Sequence, residues 1–392
     1  MLITGHRRHR NCPVCSADKA ISLYFNAMAP IGGLDMSYRV SRCAECGFVY
    51  ASELPDSDTY AAYYKGLSKY DVLASTAQIR PVDRVRMAAA VGLCAPHLAT
   101  DALIADIGCG TGALLNAFHE AGWSRLYGID PAPGAPAKAE ALFGLHNVRT
   151  GSLSQAHESL PLAQASLICL TGVLEHLPDL QADMSALVAG VNKSAMILVE
   201  VPALERFVRD PSEPFGEFSL EHVQYFSTHS LGRLMAELGF ACLAHEIVTL
   251  SGGVTDSLFG LFVRQDALPE ERQRDSADLR SYIELSEKTM REMLDRMTRC
   301  PARQLVIYGA GSHSARLLPR LEVAGISGRI VGIVDGNPNL LGQVIGQHEV
   351  CSPADIARWP EATIVVSSFA AQDAIAESIA TRFANPILRL YS

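Results

Sequence analysis

The chain is 392 residues long, with 33 basic and 42 acidic side chains and a formal net charge of −9. With 48% hydrophobic and 19% charged residues, it has a globular rather than a disordered composition, and its length suggests two or three domains. Its acidity gives no general attraction to nucleic acid polymers or anionic membrane, and His6–Arg10 is the one local basic cluster.

No apolar run reaches the roughly 18 residues of a spanning helix, and MLITGHRRHR lacks a secretory apolar core. A cytoplasmic location is therefore expected.

Four of the ten cysteines form two tight pairs, Cys12-Pro-Val-Cys15 and Cys43-Ala-Glu-Cys46. Each C-x-x-C can aim two thiolates at one ion, and two such knuckles complete a closed tetrahedral zinc site. Gly47 suits the turn back after the second pair, and Phe48-Val49-Tyr50 reads as a strand. The 27 residues between the knuckles, 16 to 42, leave room for a hairpin around Gly32-Gly33. A redox C-x-x-C is the rival, though no βαβ context accompanies it. The isolated Cys94, Cys109, Cys169, Cys242, Cys300 and Cys351 read as small core hydrophobes.

A Tyr-rich stretch with Tyr60, Tyr63, Tyr64 and Tyr70 follows, then a helix from about Pro81 to Cys94. From Leu103 strands alternate with amphipathic helices, as in a parallel sheet with crossovers. The strands are expected at Leu103–Ile107, Arg125–Ile129, Leu167–Leu170 and Met196–Val201, with a late pair at Ala241–Leu250 and Ser257–Arg264. The helical rhythm between Leu268 and Arg299 reads as a connecting helix, and a second strand–glycine–helix unit starts at Gln304.

The strand ending at Asp106 runs into Ile107-Gly108-Cys-Gly110-Thr-Gly112, and Asp130 ends the next strand. The glycines allow a sharp turn and close approach of a ligand, and Asp130 can accept hydrogen bonds from both hydroxyls of a ribose. Spacing alone also fits a dinucleotide loop. Asp106, aimed at the loop, would repel a pyrophosphate but suits a cation.

Asp106-x-Gly108-x-Gly110-x-Gly112, then Gly128-Ile-Asp130-Pro131, then Leu170-Thr171-Gly-Val-Leu-Glu175-His176 resemble the successive motifs of class I S-adenosylmethionine-dependent methyltransferases, over about residues 85 to 265. The resemblance implies a Rossmann-like core holding S-adenosylmethionine. Gly108, Gly110 and Gly112 would surround its methionine and ribose portions. Asp130 would take the ribose hydroxyls and Ser152-Leu153 would lie near the adenine, with Asp106, Pro131, Thr171 and Tyr70 completing the cofactor set. The family often has Asp at the adenine position, where this chain has Ser152.

Further on, Glu221-His222-Val-Gln-Tyr225-Phe226-Ser227 sets an imidazole beside a carboxylate, ahead of a helix capped by Ser227 or Thr228. A histidine there can act as a base, its basicity raised by a neighbouring Glu, or simply hold a strand–helix corner. The whole layout of zinc module, Tyr/Ser loop, methyltransferase core, E-H-x-x-Y-F-S and C-terminal Rossmann-like unit resembles the deoxysugar C-methyltransferases. Those enzymes methylate a carbon next to a ketone on a nucleotide-linked sugar. The resemblance implies His222 as base with Glu221 beside it, and Tyr64 in the same site, with Tyr63 and Tyr70 as weaker stand-ins. Ser219 stands where the family usually has a second tyrosine, and the tyrosine loop has fewer serines than usual. Carbon and oxygen acceptors both stay open.

The second glycine loop, Gly309-Ala-Gly311-Ser-His313-Ser314, is followed by Asp335, 24 residues past Gly311. NAD, a nucleotide part of the substrate held at the helix start near Ser312-His313, and a bare scaffold are all compatible with it.

The expected organisation is an α/β chain with four parts. These are a zinc-ribbon module with the Tyr-rich loop (1–70), a Rossmann-like methyltransferase core (71–265), a connecting helix (266–300) and a C-terminal Rossmann-like α/β domain (301–392). The expected activity is methyl transfer to a small, nucleotide-activated molecule, with structural zinc and no metal in the chemistry. The alternatives are O-methylation of another metabolite or glycan, and an NAD-linked oxidoreductase. Use of the zinc ribbon to read RNA would need a basic, aromatic stripe, and Arg7, Arg8 and Arg10 supply little of one. Monomer and dimer are both open.

Overall fold

The computed structural model describes residues 7–55, 59–60, 79–209, 213–219, 221–251, 254–265, 275 and 279–391, and these form three β-sheets. The first begins with β1 (Arg8–His9), β2 (Ala20–Asn26), β3 (Tyr38–Cys43) and β4 (Val49–Leu54), in the order β1-β4-β3-β2 and antiparallel throughout. The expected hairpin lies between β2 and β3. Ile31 and Leu34 bridge across Gly32 and Gly33, whose φ values of 57° and 82° make the tight turn.

The central sheet follows a βα rhythm. Helix α1 (Pro81–Cys94) starts on a proline, which is pre-set for a first turn. Then come β5 (Leu103–Ile107), α2 (Ala113–Glu120), β6 (Arg125–Asp130), α3 (Ala135–Phe143), β7 (Val148–Thr150), α4 (Ala156–Ser159), β8 (Leu167–Thr171), α5 (Leu180–Ala189) and β9 (Met196–Pro202). All five residues of β5 are buried, as expected where helices cover both faces of a parallel sheet.

Strand β10 (Gln224–Tyr225), α6 (Thr228–Glu237), β11 (Phe240–Val248) and β12 (Ser257–Arg264) follow. The central order is β11-β12-β9-β8-β5-β6-β7, with β12 antiparallel to both β9 and β11. The chain therefore reverses direction across the sheet between β5 and β8. In such sheets ligands bind outside the carboxyl ends of the strands at that switch point. Strand β10 does not join the central sheet. It pairs with β4, with Gln224 opposite Tyr50 and Tyr225 opposite Val49.

Helix α7 (Arg280–Arg299) leads into β13 (Leu305–Tyr308), α8 (Ser312–Val323), β14 (Ile330–Val334), β15 (Val344–Ile345), β16 (His348–Cys351), β17 (Thr363–Val366), α9 (Gln372–Ala380) and β18 (Ile387–Arg389). The third sheet has the order β15-β16-β14-β13-β17-β18. It repeats the switch, here between β13 and β17. The described part of the connecting helix begins at Arg280, later than the apolar rhythm suggests, and most of 266–278 lies outside the described residues.

The N-terminal sheet is packed between the other two. Cys12, Phe48 and Tyr50 share a core with Ile168, Leu174 and Val199 of the central unit, while Met28, Ile31 and Leu34 share one with Leu305, Leu318 and Ile345. The hairpin docks by backbone bonds as well. Ala29 N donates to Ala315 O (2.8 Å), Gly32 N to Val344 O (2.7 Å), and Gly346 N to Pro30 O (2.8 Å).

One expectation needs correcting. Cys94, Cys109 and Cys169 are buried, but Cys300 and Cys351 are only half-buried and Cys242 is exposed. Cys242 sits at a register shift in β11, an edge strand with a solvent-facing side. No described helix is long and apolar enough to cross a membrane.

Candidate active site

At the carboxyl end of β5, Gly108, Gly110 and Gly112 all have positive φ (76°, 53° and 85°), a conformation that costs side-chain-bearing residues about 1–2 kcal/mol. A Cβ on Gly108 would lie 2.6 Å from Val173 Cγ2, whereas one on Gly110 would meet nothing within 4 Å. Gly108 is thus fixed by packing, and Gly110 keeps an open face that a ligand can approach. Asp130 braces the loop, accepting from Gly110 N through Oδ2 and from Ala132 N through Oδ1, both at 2.8 Å. Lone pairs of both oxygens remain for ribose hydroxyls.

Beneath the loop Asp106 is 1% exposed, and neither carboxylate oxygen has a hydrogen-bond partner among the described residues. Burial, and then the Asp130 charge, push its carboxyl well above the usual carboxylate range. An orphaned buried acid under a loop open at Gly110 fits a cationic, ribose-bearing ligand such as S-adenosylmethionine.

The other described residues of the expected cofactor set lie at or just beyond the carboxyl ends of β6, β7 and β8. Thr171 is the half-buried last residue of β8, next to Glu200 of β9. Pro131 is exposed and Leu153 half-buried. Ser152 caps the short turn Leu153–Gln155, its backbone N donating to Gln155 Oε1 (3.0 Å). Tyr64 and Tyr70 lie outside the described residues.

Across the crevice, the turn after β8 presents Glu175 and His176, and the segment leading into β10 presents His222. Ligand atoms of these three residues lie within 4.8 Å of one another, and the two rings meet edge to face with centroids 4.8 Å apart. His176 Nδ1 bonds to Glu221 O at 3.0 Å. A carbonyl can only accept, so Nδ1 carries the proton. Nε2 lies 3.8 Å from Glu175 Oε1.

Glu175 is 3% exposed, and burial, reinforced by the Glu200 charge, raises its carboxyl to about 8. Glu200 is itself ion-paired to Arg86 of α1, with Nη2 to Oε2 at 2.5 Å. Within this cluster the sequence pointed to His222, with Glu221 beside it. The neighbouring Glu175-His176 lay in a quoted motif, but no local signal brought it to His222. Arg86 and Glu200 were not singled out.

Elements from all three sheets hold the His222 segment. Val223 N donates to Glu175 O and Ala51 N to Val223 O. Tyr225 Oη donates to His222 O (3.0 Å), and Ser219 Oγ accepts from His222 N (3.0 Å). Arg316 of α8, fully buried, donates to Phe218 O (2.8 Å) and pairs with Glu213 (2.7 Å).

Arg10 joins the N-terminal sheet to both histidine turns. Its Nε donates to Ala51 O (2.6 Å), Nη1 to Pro178 O (2.6 Å) and Nη2 to Val223 O (2.8 Å). Burial lowers its guanidinium to about 10, still well above neutrality. Arg7 and Arg8 are paired with Asp35 and Asp179, so three arginines of the basic N-terminal cluster serve internal contacts.

The four paired cysteines converge. Their sulfurs lie within 4.8 Å of one another, with Cys12–Cys46 at 3.5 Å and Cys15–Cys43 at 3.6 Å. Zn–S bonds of about 2.3 Å in a tetrahedron put sulfurs about 3.8 Å apart, so the cluster has the size of a zinc site. Phe48 N approaches Cys46 Sγ and Cys46 N approaches Cys43 Sγ, each at 3.5 Å, and Gly47 turns with φ 84°.

In the C-terminal sheet Asp335 braces its glycine loop as Asp130 does, accepting from Ala310 N and Asn337 N at 2.7 Å each. The His313 side chain turns inward, bonding Ser367 Oγ (2.7 Å) and Tyr391 Oη (2.9 Å). A Cβ on Gly309 would lie 2.7 Å from Ser367 O.

Residues 81–245 match the family model described as "Methyltransferase domain". No curated protein matches the chain. Among solved structures it is similar to 1,6-didemethyltoxoflavin-N1-methyltransferase of Burkholderia thailandensis, whose structure holds 1,6-didemethyltoxoflavin and S-adenosylhomocysteine. The identity is 18% over 57% of this chain and 98% of that one, with a TM-score of 0.43. It is also similar to magnesium protoporphyrin IX methyltransferase of Synechocystis PCC 6803, at 18% identity over 54% and 100% of the two chains, TM-score 0.41. A third is an S-adenosylmethionine-dependent methyltransferase of Mesorhizobium loti, at 15% identity over 46% and 100%, TM-score 0.37. Residues 81–245 of the chain thus carry a methyltransferase domain.

Proposed function

We propose that the chain methylates a carbon next to a ketone on a nucleotide-linked deoxysugar, with His222 as the base that forms the enolate. The observation that carries this reading is the His176–His222 pair, in which His176 belongs to the turn that follows the carboxyl end of β8, the strand next to β5. When bound, S-adenosylmethionine supplies a methyl group already activated by its sulfonium.

The protein's own part is to position the acceptor and move one proton. His222 takes the proton from the acidic carbon, or from a hydroxyl if the acceptor is oxygen, with Glu175 and His176 close beside its ring. Asp106 and Asp130 hold the donor, so alignment of carbon and methyl supplies much of the acceleration. Glu221, Tyr64 and Tyr70 are assigned to the same site on the family's pattern. The four cysteines hold a structural zinc ion, which stiffens the sheet that β10 joins.

The test uses a nucleoside-diphospho-4-keto-6-deoxyhexose in deuterated water. The wild-type enzyme should wash deuterium into the carbon beside the ketone and then methylate it. His222→Ala should lose the exchange and lower turnover by roughly 10²–10⁴-fold, with unchanged affinity for S-adenosylmethionine. A variant that keeps the wild-type rate removes the base assignment, and a methyl group found on oxygen redirects the reading to O-methylation.

A further inference from the structure

We infer that Glu175, His176 and His222 form a binding site for a divalent transition-metal cation, separate from the four-cysteine cluster. Two imidazoles and one carboxylate are a donor set that suits zinc, cobalt or manganese, and the three ligand atoms lie within 4.8 Å of one another. Bonds of about 2.1 Å in a tetrahedron put ligand atoms about 3.4 Å apart, so a bound ion would draw the widest pair together by up to about 1.4 Å.

Two further observations point to a cation. Glu175 Oε2 is buried and accepts no hydrogen bond from any described residue, in a side chain only 3% exposed. The second lies one shell out. His176 donates Nδ1–H to Glu221 O (3.0 Å), the backbone bond that typically fixes the tautomer and orientation of a metal-ligating histidine. Nε2 of that ring lies 3.8 Å from Glu175 Oε1, which sets an imidazole nitrogen and a buried carboxyl side by side, as two ligands of one ion would be. Glu200, the next carboxylate, is already neutralised by Arg86, so Glu175 is the carboxyl left to give up its proton to the incoming ion.

Metal binding and catalysis then compete. An ion that occupies the His222 nitrogen removes the lone pair needed to accept a proton, so the cation inhibits. This consequence rests on the proposed role of His222, whereas the site itself does not.

The test adds Co²⁺ to protein whose four-cysteine cluster is loaded with zinc, followed by calorimetry and visible absorption. The wild type should bind one further equivalent, with weak visible bands and no sulfur-to-cobalt charge transfer, since the donors are nitrogen and oxygen. Glu175→Gln and His176→Ala should each weaken that equivalent at least about tenfold, with unchanged S-adenosylmethionine binding as the check on folding. Absence of a second equivalent in the wild type, its persistence at full affinity in both variants, or a thiolate charge-transfer band accounting for all bound cobalt would overturn the site. If cobalt binds as expected while His222→Ala keeps full turnover, the base assignment falls and the metal site stands. Cobalt that binds and slows the wild type but not His176→Ala supports both.

Discussion

His313 offers a quantitative check on the C-terminal crevice. The ring is 3% exposed and bonded on both nitrogens to hydroxyls, Ser367 Oγ and Tyr391 Oη. A neutral imidazole satisfies that arrangement with one donor and one acceptor. Protonation would make both nitrogens donors and bury a charge, and burial lowers the group from 6.5 to about 4. Between those values the unfolded chain holds the proton and the folded chain does not. Stability therefore falls as the pH drops through 6.5 toward 4, at about 1.4 kcal/mol per pH unit.

At pH 5 the loss attributable to His313 is about 2 kcal/mol. His313→Gln removes this dependence, at a roughly constant cost of about 1–3 kcal/mol for the broken hydrogen bonds. The chain has two tryptophans. Trp359 packs over Gly332 in the C-terminal sheet, and Trp123 belongs to the central unit. In a Trp123→Phe background, urea unfolding followed by fluorescence reports on the C-terminal sheet. The wild-type background should lose about 2 kcal/mol more than the His313→Gln form between pH 7.5 and pH 5. Equal losses in the two proteins would refute the reasoning, because His313 would then be free to titrate, as a ring exposed to an open ligand crevice would be.

Two further substitutions probe the main site. Gly108→Ala places a Cβ against Val173 at a φ of 76°. The left-handed backbone and the overpacking together cost about 2–4 kcal/mol, so calorimetry should show S-adenosylmethionine affinity lowered by at least about tenfold, and an unchanged affinity would mean that the loop does not shape the cofactor site. Arg10→Met withdraws the bonds to Ala51 O, Pro178 O and Val223 O. Displacement of the histidine turns by about an ångström should lower kcat by roughly 10–10²-fold while the cofactor's Kd stays constant, and an unaltered kcat would show that the clamp is not coupled to catalysis.

Local spacing was enough to read the pieces of this protein. Glycines at 108, 110 and 112 have positive φ and Asp130 braces that loop, because each depends on residues a few positions apart or on one βα unit, and the two C-x-x-C pairs each form within four residues. The helix cap at Ser227 was legible for the same reason, with Ser230 N donating to its hydroxyl (3.0 Å). Meetings between distant segments were not. Periodicity cannot tell that β10 pairs with β4, that Glu175 and His176 converge with His222, or that Arg10 of a basic-looking stretch points inward to carbonyls 41, 168 and 213 residues away. Nor could it tell that Cys242 would lie on an exposed edge. Those outcomes follow from strand order and from which sheet a segment joins. The tertiary structure settles them because every buried carbonyl and charge must find its partner among whatever chain the fold brings close.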